Sequence, residues 1–219
     1  MQFEPKHPIP VFPLPHLVLF PHAVLPLHVF ELRYRTMVRD ALSGGRMIAV
    51  AQLEPGWERD YYGSPPFHPL GCLARFEEVQ WLPNDCYDLK VLGLSRVRFE
   101  RIVKEFPYRA AQVSLAPEAP YDDADPLVEM ECAALRETCT KWLHALAAQR
   151  GAEPSGGPSE HLRYEVLVNG ACMLLGAGMA DHLMLLGMDS IIERGRAVRD
   201  VMEQRLRQGL EPPAGGGSD

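Results

Sequence analysis

The sequence predicts an α+β chain, with a curled antiparallel sheet or barrel in its first half and a helical bundle in its second. Three observations carry that expectation. From Ile9 to Leu115 the apolar residues come in short runs, several of them alternating with polar residues at the period of a half-buried strand. A proline- and aspartate-rich connection, APEAPYDDADP from Ala116 to Pro126, then interrupts the pattern. Beyond it the apolar residues recur at helical spacing as far as Gln208.

Taken in order, the strand runs are IPVFPL, VLPLHVF, MIAVAQL, CLARFEEVQWL, YDLKVLGL, RVRFERIV and YRAAQVSL. In YDLKVLGL, Tyr87, Leu89 and Val91 belong to a dry face and Asp88 and Lys90 to a wet one. Phe99 and Ile102 lie three apart, which breaks the period of two and predicts a bulge. Prolines 10, 13, 15, 21 and 26 remove backbone donors from the opening stretch, so its runs are expected at edges, strand starts and bends. One helix interrupts the strands, Glu31 to Leu42: Leu32, Met37, Val38 and Ala41 share a face, Glu31 and Arg35 are spaced for an i,i+4 pair, and Ser43-Gly44-Gly45 ends it. Glu31, Arg33 and Arg35 are read as architectural charges of that helix.

In the second half, helices are expected near Leu127–Gln149, Glu160–Leu175, Ala180–Leu186 and Ile191–Gln208. Asp125-Pro126 supplies an N-cap with proline at the first helical position, and Ser190 with Glu193 matches a capping box. The organisation that follows is a β-rich subdomain over 1–118, a helical subdomain over 119–209 and a disordered tail, EPPAGGGSD, within 210–219.

Bulk properties remove several classes of function. With 47% hydrophobic residues in 219 the chain can bury a real core. A net charge of −7 opposes capture of a nucleic-acid backbone, and the charge is uneven: 13 basic and 12 acidic residues up to Leu115, then 9 and 17. Five cysteines without a C-x-x-C pair are unlike a disulfide framework or a zinc ribbon, and fit a reducing cytoplasm. The N-terminus lacks the layout of a signal peptide. The apolar stretch Val166–Met188 is broken by Asn169, Asp181, His182 and glycines, so a buried helix followed by a short one is expected rather than a membrane span.

Chemistry-bearing patterns are sparse. His16, His22 and His28 recur every six residues, but along a strand that spacing spans roughly 20 Å, too far for one metal unless the chain reverses near Pro21. Cys132 and Cys139 lie two helical turns apart, about 10 Å. Neither a G-x-S-x-G elbow, a phosphate loop nor an H-E-x-x-H helix occurs. Neighbouring carboxylates Glu77 and Glu78 point to opposite faces of a strand. No catalytic, cofactor-binding or metal residue is assigned, and no cofactor is expected. The loop EPGWERDYYGSPPFHPLG, Glu54 to Gly71, differs in kind: its Trp57, Tyr61, Tyr62 and Phe67 either form a contact surface on a mobile segment or fold back over an open sheet end.

Several motifs then combine: PVFPLPHLVLFPHAVLPLHVFELRY near the start, Gly71-x-x-Ala74-Arg75, Gly93-x-Ser95-Arg96-Val97-Arg98, and Pro107-Tyr108-Arg109. Together they resemble the substrate-binding N-terminal domain of Lon proteases, in its short bacterial form, over about Ile9 to Leu206. The resemblance implies a PUA-like antiparallel β pseudo-barrel followed by a C-terminal helical bundle. It also implies a non-enzymatic module that recognises unfolded or exposed polypeptide segments, without the ATPase or Ser-Lys protease domains of full-length Lon. On that reading Phe30, Tyr34, Trp57, Tyr61, Tyr62 and Phe67 are the candidate polypeptide contacts. A separate protease or chaperone is kept as a candidate partner, nucleic acid and membrane are not expected, and oligomeric state is left open. Two alternatives stand beside it: a hydrolase built from scattered His, Cys and acidic residues, and an RNA-binding PUA-like protein using Arg96, Arg98, Arg101 and Lys104, which alternate with acids as on a solvated strand face.

Overall fold

The apolar runs of the first half pair into one six-stranded sheet: β1 (Ile9–Leu14), β2 (Val24–Val29), β3 (Met47–Leu53), β4 (Phe67–Trp81), β5 (Tyr87–Lys104) and β6 (Ala110–Leu115), with α1 (Leu32–Ser43) between β2 and β3. The computed structural model describes residues 7–154, 156–175 and 179–209, without the side chains of 179 and 180, and divides the chain at Pro117/Glu118. The tail expected to be disordered lies outside the described residues.

The strand order is β2-β5-β4-β3-β1-β6, and β5 pairs with β6 as well, so five strands close into a ring with β2 attached outside on β5. Every pairing is antiparallel except β1 with β3. The antiparallel barrel expected from the sequence is present, with β1–β3 as a parallel pairing within it. The chain leaves β1 through β2 and the helix α1 before returning, and a helical crossover of that kind brings the next strand back in the same direction.

The five ring strands enclose a core of Ile9, Val11, Ala49, Ala51, Leu73, Val97, Ala111 and Val113. Alanines at three of these positions suit the narrow interior of so small a ring. Gly71 and Gly93 permit close backbone approach. A Cβ on Gly71 would overlap the Val50 carbonyl, and one on Gly93 would overlap that of Phe20. At Gly93 the turn before β2 lies against β5, with His22 N–H donating to Gly93 O (2.8 Å) and Gly93 N–H to Ala23 O (2.9 Å).

The prolines of the opening stretch now have a stricter explanation than edge placement. β2 is an edge, but β1 lies inside the sheet. Val11 N–H donates to Arg109 O (2.8 Å) on the β6 side, so by alternation Pro13 also turns its missing donor that way, beyond the β1–β6 ladder, which covers only Ile9 and Pro10. Pro10 turns its missing donor toward β3, whose ladder begins at Val11. Both prolines of β1 fall where the ladder on the N–H side is absent.

The expected bulge is present: register shifts separate Phe99 from Arg101 and Ile102 from Lys104 in the β5–β6 pair. In α1 the buried residues are Tyr34, Met37, Val38 and Ala41, with Leu32 exposed instead of facing inward, and Arg35 pairs with Asp85 (2.8 Å) rather than with Glu31. Arg96 is buried, with Nη2 donating to Pro117 O (3.0 Å), which removes it from the solvated face expected of it.

The remainder folds as α2 (Pro126–Gln149), α3 (Tyr164–Leu174), α4 (Met179–Gly187) and α5 (Ile191–Gln208). Asp125 accepts from Leu127 N–H (2.8 Å) and Ser190 from Glu193 N–H (3.3 Å), the two caps the sequence indicates. Part of the connection between α3 and α4, Gly176–Gly178, lies outside the described residues. Two polar clusters lock this bundle. Fully buried Arg194 donates to Leu185 O (2.9 Å), Met188 O (2.6 Å), Asn169 Oδ1 (2.8 Å) and Glu118 Oε1 (3.0 Å). Glu131 of α2 accepts from Arg196 (2.6 Å) and Arg199 (2.7 Å) of α5.

Candidate functional site

The six aromatic candidates do not form one cluster. Trp57, Tyr61 and Tyr62 gather on the loop between β3 and β4, where a single 3-10 turn, Trp57–Asp60, follows Gly56 at φ 88°. Their rings meet edge to face, Trp57 with Tyr61 at 5.3 Å and Tyr61 with Tyr62 at 5.2 Å, and His16 adds a further edge contact to Trp57 at 5.9 Å.

Tyr34 is buried, at 6% exposure, and packs on Phe12 at 4.6 Å, so it forms the floor beneath the loop rather than an accessible contact. Phe67 is not a loop residue at all. It opens β4, packs against the ring core, meets Phe99 at 4.9 Å and carries the Arg109 guanidinium over its face at 4.6 Å. Phe30 precedes α1 and stacks on His28 at 6.1 Å, whose Nδ1 is 2.7 Å from Asp88.

The loop is tied down by residues outside the aromatic set. Glu31 receives the Tyr61 hydroxyl on one oxygen and Arg33 Nε (3.0 Å) on the other. Arg33 spreads the rest of its fork over the loop backbone, donating to Tyr61 O (2.9 Å) and Gly63 O (3.4 Å), and stacks against the Tyr34 and Tyr61 rings. Arg109 donates to Pro65 O (2.6 Å), and Glu54 N–H to Pro66 O (2.9 Å) closes the loop's base. Read from the sequence as charges of α1, Glu31 and Arg33 instead clasp the loop. The signal available was positional: both adjoin Phe30 and Tyr34 in the first motif, and Arg109 ends the last.

Burial, followed by the hydrogen bond to Glu31, pushes the Tyr61 phenol up to about 12, and burial pushes Tyr34 up as well. Both stay protonated donors at neutral pH. Around this clasp several apolar side chains face water: Tyr62 at 87%, Leu32 at 70% and Phe30 at 62% exposure.

A second surface flanks β2. A groove of about 650 Å³ runs along Pro26, Leu27 and His28, Glu78–Gln80 and Asp88–Lys90. It contains the Lys90–Glu78 (2.8 Å) and His28–Asp88 (2.7 Å) pairs. The outer edge of β2 is a poor template for another strand. With Gly93 N–H donating to Ala23 O, alternation turns the backbone groups of Val24, Pro26 and His28 outward, so the missing donor of Pro26 falls in the middle of the free edge.

The three histidines have different neighbours: His16 meets Trp57, His28 meets Asp88, and His22 bonds through its backbone to Gly93. Among the described residues no group of three His, Cys, Asp or Glu could hold a metal ion. All five cysteines are free, and burial pushes the Cys139 thiol up to about 11 and Cys172 up to about 12. Among the described residues no helix is long and apolar enough to cross a membrane.

Comparison with known proteins places these features. The family model for the ATP-dependent protease La (LON) substrate-binding domain matches residues 8–204. Similar curated proteins include the Lon protease of Desulfosudis oleivorans, 29% identical over 47% of this chain and 13% of its own length, and Lon protease 2 of Myxococcus xanthus, 33% identical over 48% and 13%. The Lon protease of Parabacteroides distasonis aligns over 91% of this chain at 23% identity, and 24% of its own length. The chain thus spans no more than about a quarter of these relatives. Among solved structures the fold is similar to a Lon N-terminal domain protein from Xanthomonas campestris (TM-score 0.60, 23% identity, 94% of this chain and 99% of that one). It is also similar to the N-terminal domain of Mycobacterium avium complex Lon protease (TM-score 0.62, 17% identity, 90% and 98%).

Proposed function

The chain belongs to the family of Lon substrate-binding domains, and from that membership we propose that it is a non-enzymatic module that captures unfolded or exposed polypeptide segments. The observation that carries the proposal is the clasped loop: Glu31, Arg33 and Arg109 hold backbone and rings in place while Tyr62, Phe30 and Leu32 remain in water. Aromatic groups presented on a fixed support lose little conformational freedom on binding, and such residues dominate contact energies. Tyr34 and Phe67 support that surface from below, Trp57 and Tyr61 shape it, and Phe30 and Tyr62 touch the client. Binding through exposed side chains is favoured over addition of a strand to β2, whose free edge is blunted by Pro26.

Among the cysteines open to the hydrolase alternative, burial keeps Cys139 and Cys172 protonated, and the histidine that meets a carboxylate, His28 with Asp88 (2.7 Å), does so as an exposed pair. The RNA alternative loses Arg96 to the interior. Five free cysteines favour a reducing cytoplasm, where a separate protease or chaperone would receive what is bound.

The test is affinity for a reduced, carboxymethylated globular protein, which cannot refold, against the same protein in its native state. The expected result is binding of the unfolded form alone. Phe30→Ala and Tyr62→Ala should each weaken it by about fivefold or more, the equivalent of about 1 kcal/mol. Equal affinity for both forms, or affinity indifferent to both substitutions, would overturn the proposal.

A further inference from the structure

The contacts that pin the loop continue beyond it, to the turn between β5 and β6. Ser64 Oγ lies 3.4 Å from Glu105, and Glu105 is followed by Phe106, 75% exposed, with Val103 also half in water. Burial pushes the Arg109 guanidinium down from its ordinary range, and Tyr34, Glu105 and Asp60 partly offset that, which puts the Glu105 and Asp60 carboxylates within electrostatic reach of it. The hydrogen bonds of Tyr61 to Glu31 and Ser64 to Glu105, joined by short runs of chain neighbours, therefore make one line from Phe30 and Leu32 by way of Tyr61 and Tyr62 to Phe106. Large apolar side chains in water occur along that whole line, at both ends and in the middle.

The charges along it are not balanced. Glu31, Glu54, Glu58, Asp60 and Glu105 face Arg33, Arg59 and Arg109, an excess of two negative charges. Arg33 is engaged with Glu31, while Arg109 stacks on Phe67 and donates to Pro65 O. Lys104, the next cation along β5, is turned to Asp40 (3.9 Å) and to the Tyr108 ring (3.7 Å). Glu58, Asp60 and Glu105 are exposed, whereas the only exposed guanidinium among those three is that of Arg59.

We propose, building on the polypeptide-binding reading above, that Phe30, Leu32, Tyr62 and Phe106 form one extended docking strip for an apolar segment flanked by lysine or arginine. The apolar core of such a segment covers the rings, and its flanking cations meet Glu58, Asp60 and Glu105. Acidic flanks are repelled by the same carboxylates, so the strip discriminates by charge as well as by apolarity.

The experiment measures fluorescence anisotropy of the full chain with two labelled peptides that share one apolar core, Phe-Leu-Val-Tyr, and carry three lysines or three glutamates at each end. The lysine peptide is expected to bind at least tenfold more tightly at low salt. The ratio should collapse toward one in about 1 M salt, where the screening length is about 3 Å. Phe106→Ala should weaken the lysine peptide fivefold or more, and Glu58→Lys with Glu105→Lys should reverse the preference. Unchanged thermal unfolding of these surface variants separates binding from folding. If Tyr62→Ala weakens binding while Phe106→Ala and the charge reversal change nothing, the extended strip is wrong and polypeptide recognition stands. If neither these peptides nor the carboxymethylated protein binds, both fail together.

Discussion

The Tyr61 hydroxyl donates to Glu31, and its ring packs between Trp57, Tyr62 and the Arg33 guanidinium. Replacing it with phenylalanine keeps the ring contacts and removes only the donor. A typical hydrogen bond contributes on the order of 1 kcal/mol net, and one to a carboxylate no less, so Tyr61→Phe should open the loop at least several-fold more often. Limited trypsin cleavage at exposed Arg59 reads this directly, as a rate several times that of the parent; an unchanged rate would show that Arg33 and Arg109 hold the loop without Tyr61. Alkali should act on the same bond. The folded phenol titrates at about 12 against an ordinary 10, so the unfolded chain releases its proton first as pH rises. Stability from this group is complete below pH 10 and is lost as pH climbs toward 12. Tyr164, raised to about 12 mainly by burial, adds to the same fall. Urea midpoints measured from pH 9 to 12 should decline, and less steeply in Tyr61→Phe.

Two elements of the helical half depend on buried charge, and each predicts a different failure. Arg194 on α5 donates to two carbonyls, Asn169 and Glu118 at once, so Arg194→Met removes four hydrogen bonds, one of them an ion pair, from the interior of the bundle. A loss of about 3–5 kcal/mol is expected, read as a large drop in the urea midpoint. Glu131 on α2 behaves differently with pH. Burial pushes its carboxyl up, but hydrogen bonds and charge from Arg196 and Arg199 outweigh that and hold it below the usual range. Its contribution is therefore present above pH 4.5 and disappears as pH falls through the lower folded value. Glu131→Gln should be less stable at pH 7 yet show a flatter loss of stability on acidification than the parent. The contrast with the strands explains what the residue order could reveal. Helices capped by Asp125 and Ser190 were legible because cap, period and terminator all lie within one stretch of chain. Strand pairing was less so. The parallel β1–β3 pair depends on a crossover through α1, and β5 continues unbroken through Gly93 because that glycine serves a close approach rather than a turn. Phe67 reads as a loop residue in sequence for a related reason, since prolines 65 and 66 and Pro69 hide the start of β4. Of the site, the aromatic residues announced themselves by type, whereas Arg33 and Arg109 act through backbone carbonyls and Glu31 through a tyrosine 30 residues away, contacts that have no sequence signature.

Across the whole molecule, the proposed contacts lie in one of the two units. Phe30, Leu32, Tyr62, Phe106 and the residues that clasp the loop fall between positions 30 and 109, inside the unit that ends at Pro117. That unit has its own enclosed core and, through the β5–β6 pairing, a closed ring of strands. The negative charge is elsewhere: residues up to Leu115 are nearly balanced, and those after it carry 9 basic against 17 acidic groups. A chain ending at Pro117 should therefore keep the contacts and lose the long-range field. In about 1 M salt, its affinity for the lysine-flanked peptide should match that of the full chain, because screening leaves only side-chain contact. At low salt its preference for lysine over glutamate flanks should shrink without vanishing, since Glu58, Asp60 and Glu105 remain. Far-UV circular dichroism and a cooperative urea transition establish that the shortened chain is folded before binding is compared. If it is folded and yet loses most of its affinity at high salt, the client also touches the helical unit, and the strip from Phe30 to Phe106 is only part of the surface.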